Sequence, residues 1–184
     1  MKQLDLTKIA KRLGAVPVAF KGKVAQVGIP AGLAYEDGTS VAYVAAIQEF
    51  GAPDVKIPPR PFFRPAIKSH SKEWADAMGQ FIPTVSAGAA TADDALQAIG
   101  VVAAADIQAE IASVSSPSLS PVTVLLRKWR KDGRKITGRT VGEAAAAIED
   151  GENPGDDDKP LNDTGLLLAS IRNAVAAPGE EFKA

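Results

Sequence analysis

Four prolines fall within eight residues, Pro58-Pro59-Arg60-Pro61-Phe62-Phe63-Arg64-Pro65, in this 184-residue chain. Each proline removes an amide donor and pushes its predecessor toward extended backbone, so no helix can run through them. The spacing predicts an extended arm over about 52–64, held between two helices. The first starts at Thr39 or Ser40 and ends on Phe50-Gly51, with Gly51 as the stop. Val41, Val44, Ile47 and Phe50 should face the core, and Ala42, Ala45, Ala46 and Glu49 should form the slimmer side. The second begins near Arg64-Pro65. Phe63, Ile67, His70, Trp74, Met78 and Phe81 mark its buried stripe, with Arg64, Lys68 and Lys72 as a cationic ridge beside it. Pro83 should end or kink it.

A third helix is expected from about Thr91 to Val114, with Leu96, Ile99, Ala103, Ile107, Ile111 and Val114 on its apolar side. Thr91 and Asp94 have capping-box spacing. Ser120 and Pro121 suit the N-cap and first turn of a fourth helix, over 121–131. Beyond it, 144–148 predicts one helical turn and 149–159 a polar loop. Asp163-Thr164-Gly165 should open a short helix to about Ser170, and 171–177 reads as a strand.

At the other end, Leu6, Ile9, Ala10 and Leu13 predict a short amphipathic helix capped by Asp5 and stopped by Gly14. The runs 16–20 and 23–29 read as strands joined by a Lys21-Gly22 turn. The expected fold class is therefore α+β: a small antiparallel sheet (the N-terminal hairpin plus the C-terminal strand) packed by several helices, one of them long. One domain should span 1–184, with a charged insertion at about 134–158.

Aromatic residues are only 5% of the chain, so Ala, Val, Leu and Ile must build the core. That scarcity also argues against a stacking platform for single-stranded nucleic acid. The absence of cysteine excludes disulfides and thiolate metal sites. No apolar run looks long enough for a bilayer, and 1–12 lacks the apolar stretch of a secretory signal. His70 lies on an apolar stripe without a second His or Cys, which is the pattern of a part-buried helix histidine. Glu149, Asp150, Glu152 and Asp156-Asp157-Asp158 lack the ligand spacing of a calcium loop and read as a solvated charge run. Nucleophile, phosphate-loop and paired acid–base motifs are missing. The expectation is a protein that is not an enzyme, with no cofactor and no metal.

Contact residues are better represented. Arg60, Phe62 and Arg64, with Phe50 before them, have the composition of an interface hot spot, or equally of a helix entry anchored by one aromatic with its arginines on the surface. Residues 127–139 hold seven bases and one acid, whereas 143–158 hold seven acids and no base. Arg127, Lys128, Arg130 and Lys131 could meet Asp156, Asp157 and Asp158 across subunits, which would fix register. The alternative is a DNA-binding accessory protein that lays the basic segment 127–139 on phosphates.

Three segments together resemble a known family. They are the alanine-rich helix ending in Glu49-Phe50-Gly51 with 58–65 behind it, the segment Ser116-Pro117-Ser118-Leu119-Ser120-Pro121-Val122-Thr123, and Lys159-Pro160-Leu161-Asn162-Asp163-Thr164-Gly165-Leu166 running on to Ser170-Ile171. In this order they resemble the neck, tail-completion or minor tail protein Z-like proteins that join head to tail in tailed bacteriophages. The resemblance implies a structural virion protein made in the bacterial host cytoplasm, with a compact α+β fold and no contact with membrane. It implies self-association into a ring, hexameric in preference to dodecameric. Connector, adaptor or stopper proteins would adjoin it on one side and a tail terminator or tail tube on the other, and genomic DNA is a candidate contact in the lumen.

Overall fold

The computed structural model describes residue 14 and residues 16–183. Its elements, in order, are β1 (Val24–Gly28), α1 (Val41–Phe50), a 3₁₀ turn (Pro53–Val55), α2 (Phe63–Ser86), α3 (Ala92–Ser113), α4 (Pro121–Lys131), α5 (Gly138–Glu149), α6 (Leu166–Ala169) and β2 (Arg172–Ala176). The fold is α+β, as expected.

The sheet is built differently from the expectation. Residues 16–20 are helical, so there is no N-terminal hairpin. A five-residue apolar run cannot by itself distinguish helix from strand. The Lys21-Gly22 turn is present, with Gly22 at φ 71°, but it joins that helix to β1. The partner of β1 is β2, antiparallel, with Val24 opposite Ala176 and Gly28 opposite Arg172. The chain's two ends thus meet in a two-stranded sheet laid against α3. The predicted helix over 6–13 lies outside the described residues, and Gly14, its expected stop, is itself helical.

Helix α3 is the centre of the molecule. Its N-terminus carries the predicted capping box, in which Thr91 Oγ1 accepts from Asp94 N at 3.1 Å and Asp94 Oδ2 accepts from Thr91 N at 2.9 Å. Leu96, Ala103, Ala104, Ile107 and Ile111 are buried beneath α2, the sheet and α6. By length and composition α3 could cross a bilayer, contrary to the reading of the sequence. Here its apolar side is core, and it carries Asp93, Asp94, Asp106 and Glu110. Asp106 accepts from Trp74 Nε1 at 2.7 Å, which ties α2 to α3. Helix α2 is less buried than its stripe suggested: Ala66 alone is fully covered, His70, Trp74, Met78 and Phe81 are half-buried, and Ile67 is exposed. Pro83 sits inside α2 without stopping it before Ser86.

The charged insertion is more ordered than expected. Thr137 and Thr140 form a capping box, and α5 runs for three turns where one was predicted. It packs on α4, and neither helix packs comparably on any other described element. The α4–α5 pair is therefore an arm joined to the body by its connecting segments.

The 52–64 region is not one extended arm. After Gly51, Pro53–Val55 forms a 3₁₀ turn, Lys56 takes left-handed φ (57°), and Ala52 bridges back to Ile57. Gly51 is what permits this reversal. It has φ 79°, and a Cβ there would stand 2.9 Å from Pro59 N and 3.0 Å from Ile57 O. Those neighbours are backbone and cannot yield. Gly51→Ala should therefore cost about 1–3 kcal/mol, the typical cost of such strain. Urea unfolding should show a lower midpoint at unchanged slope.

Candidate functional site

Helix α1 contains two polar side chains beyond its first turn, Gln48 and Glu49, and both point inward. Glu49 is only 4% exposed, while its neighbour Phe50 is 66% exposed. The predicted faces hold only in part: Val41 is buried as expected, but Ala45 and Glu49 share its buried side, Val44 and Ile47 are half-buried, and Phe50 lies outside. The cause is the start of α2. The first amides of any helix lack intrahelical partners, and the Phe62 N-cap offers no side-chain acceptor. Glu49 supplies one from another helix. Its Oε2 accepts from Phe62 N at 2.7 Å and Phe63 N at 3.0 Å. Its Oε1 accepts from Arg64 N at 3.2 Å and Arg64 Nε at 2.8 Å. The negative charge also sits at the positive end of the α2 dipole.

The carbonyls at the end of α1 are satisfied by the same segment. Gly51 N donates to Ile47 O at 2.7 Å, Arg60 N to Gln48 O at 2.6 Å, and Arg64 Nη2 to Glu49 O at 2.7 Å. Arg64 remains exposed, and its guanidinium carbon lies 5.0 Å from the Phe50 ring centroid.

The four residues expected at a subunit interface therefore divide. Phe50 and Arg64 face solvent together. Phe62 has no exposed surface and belongs to the main core with Val41, Ala66, Ile107 and Ile111. Arg60 is 5% exposed: its Nε donates to Pro117 O at 2.7 Å and its Nη2 to Ser118 O at 3.1 Å. These two side chains bind the chain's own interior and are not presented to a partner. The fork geometry of a guanidinium suits adjacent carbonyls, but no local pattern in the sequence reveals which carbonyls those are. Burial, and then the nearby Arg127 cation, pull the Arg60 pKa down.

The opposed charge blocks, expected to meet across subunits, meet partly within the chain. Arg127, nearly buried, donates to Lys159 O at 2.8 Å and lies 3.7 Å from Asp157 and 3.5 Å from Asp163. Lys131 pairs with Asp157 at 2.6 Å, Arg130 with Asp163, and Arg134 and Arg139 with Glu143. The Lys131 hydrogen bond holds the Asp157 carboxyl below its usual range, against a smaller opposing effect of burial. Five of the seven bases in 127–139 thus have carboxylate partners among the described residues. Lys128, Asp156 and Asp158 have no ion-pair partner among the described residues. His70 pairs with Glu73 at 2.9 Å, and this bond raises its pKa.

A cavity of about 710 Å³ separates the α4–α5 arm from the body, and all three motifs border it. Gln48 comes from the first, Leu119 and Thr123 from the second, and Leu161, Asp163 and Gly165 from the third. Arg130, Arg134 and Lys135 line the arm side, with Tyr35 and Val44 opposite. Burial first, then Asp163 and Asp37, raise the Tyr35 phenol above its ordinary pKa, so it is a hydrogen-bond donor at neutral pH. The cavity lining offers apolar, cationic and acidic side chains together.

No family model, curated protein or solved structure matches this chain.

The Glu49 cap has a pH signature. Burial pushes its pKa up, but the Phe62, Phe63 and Arg64 amides and the Arg64 side chain together bring it below the ordinary glutamate value. A depressed folded pKa gives stability that is complete above the unfolded value of about 4.3 and is lost as pH falls through the folded value. Glu49→Gln should cost about 3 kcal/mol at pH 7, on the scale of charged hydrogen bonds. Denaturation of both proteins across pH 7 to 3 should show that gap narrowing only below about pH 4–5.

Proposed function

We propose that this chain is a structural subunit of a tailed-phage neck, closing into a ring between the head connector and the tail. One observation carries the reading: the outward face of α1 has no charge. Ala42, Tyr43, Ala46 and Phe50 are all exposed, Ile47 is half-buried beside them, and exposed Val55 follows in the next turn. A surface helix normally turns polar residues outward, and a helix apolar on all sides is normally covered. Here both sides are apolar, and the one charge is buried as the cap of α2. A partner surface that covers Tyr43 and Phe50 resolves the contradiction. Arg64, stacked over Phe50, adds the aromatic–arginine pairing common at hot spots.

The resemblance of the three motifs to head–tail joining proteins supplies the kind of assembly. Their convergence on one cavity supports treating them as one unit. The connector or stopper on one side and the tail terminator or tube on the other are the expected neighbours, with the virion as the location.

Oligomeric state tests the reading. Wild-type protein should form rings in sedimentation velocity and native mass spectrometry. Tyr43→Asp/Phe50→Asp should remain folded, because neither side chain is in the core, and should sediment as a monomer. Its dissociation constant should rise at least a hundredfold, from the roughly 1.5–3 kcal/mol lost with each aromatic. A wild-type protein that stays monomeric at high concentration, or purified particles whose necks lack it, would overturn the proposal.

A further inference from the structure

Tyr43, Phe50 and Val55 supply too little by themselves for a ring. Burying apolar area gains about tenfold in affinity for each ~55 Å², so three side chains at best offset the large entropic cost of association. A closed ring also needs a head-to-tail contact, in which two different surfaces of the same chain complement each other. The charge left over on the α4–α5 arm provides such a pair.

Of the acids in 149–158, only Asp157 is engaged by a described cation. Asp156 and Asp158 are exposed with no ion partner among the described residues. On the opposite account, Lys128 and Lys135 are exposed with no carboxylate partner among the described residues, and Lys135 lies at the cavity beside Arg130 and Arg134. Asp132 is the one acid in that basic stretch. Folding therefore pairs five of the seven bases and leaves Lys128, Lys135, Asp156 and Asp158 exposed without an ion partner among the described residues.

We propose that the acidic 149–158 segment of one copy seats against the α4–α5 arm of the next copy, at the exposed Lys128 on α4 and Lys135 at the cavity. This inference rests on the ring reading and specifies its second contact. The cleft continues the α1 face, because Val44 lines it while Ile47 and Tyr43 follow around the same helix. A neighbour covering α1 therefore lies beside the cationic wall. Such a contact sets orientation and partner choice, and it weakens with salt.

A charge exchange tests this. Variant one is Lys128→Glu/Lys135→Glu, and variant two is Asp156→Lys/Asp158→Lys. None of the four side chains has an ion partner among the described residues, so both variants should keep the wild-type melting temperature. In low salt each variant alone faces like charge and should lose ring formation, with at least a tenfold weaker association. Mixed in equal amounts, they face opposite charge at every contact and should recover rings of alternating composition, read by native mass. Either variant assembling alone like wild type, or a mixture that fails to recover, would overturn the inference and leave the ring reading standing. A monomeric wild type would instead remove the ring reading on which it rests.

Discussion

The carboxylate of Glu49 is where the two halves of the body are joined. It ends one helix and caps the next, across a proline segment that could not otherwise fix their relative position. Three amides and one guanidinium converge on two oxygens. Withdrawing the side chain would leave those amides at the edge of the core, where an unmet donor costs about 1–3 kcal/mol. Phe62 is held by one of these bonds, and its ring fills the space between α1 and α3. The core position of the aromatic is thus set by a polar contact beside it.

Much of this was legible from local pattern. Capping signals located α3 and α4 to within a residue, because Thr91 with Asp94 and Ser120 with Pro121 act over a single turn. Gly51 marked the end of α1 because only a residue tolerant of positive φ can turn there. Longer-range questions were not legible. Whether 16–20 pairs as a strand depends on a partner, and the sheet was completed from the other end of the chain. The three turns of α5 depend on packing against α4, which an alanine run with two glycines does not announce. Likewise, α3 is long and apolar enough to cross a bilayer, and only α2 and the sheet lying against it make its apolar side core.

The candidate site divided along the same line. Phe50, Arg60, Phe62 and Arg64 were recognisable as residues that make contacts, but the sequence could not say with what. Arg60 reads like an interface arginine until the carbonyls of Pro117 and Ser118 appear beside it, nearly sixty residues away in the chain. The signal that was missed lies in α1. With Gln48 and Glu49 as its only strongly polar residues, whichever face they take leaves the other apolar. Hydrophobic periodicity placed Glu49 on the slimmer side with the alanines, and the needs of the α2 amides brought it into the core.

If a partner covers the exposed α1 face as proposed, the buried Glu49 links folding to that contact. Successive residues of a helix are turned by about 100°, so Glu49 and Phe50 face different environments from adjacent positions. Arg64 bridges them, bonded to the Glu49 carboxylate through Nε and to its carbonyl through Nη2 while lying over the Phe50 ring. In the isolated chain water screens this arginine, and its pairing with Glu49 contributes modestly. A partner that covers Phe50 must cover Arg64 as well and remove that screening. The Arg64 charge then depends more strongly on Glu49, because both are desolvated together. The α1–α2 junction should consequently be firmer in an assembled subunit than in a free one. On that proposal, a substitution that removes the Glu49 carboxylate weakens the contact through Arg64, although Glu49 itself is buried beneath it.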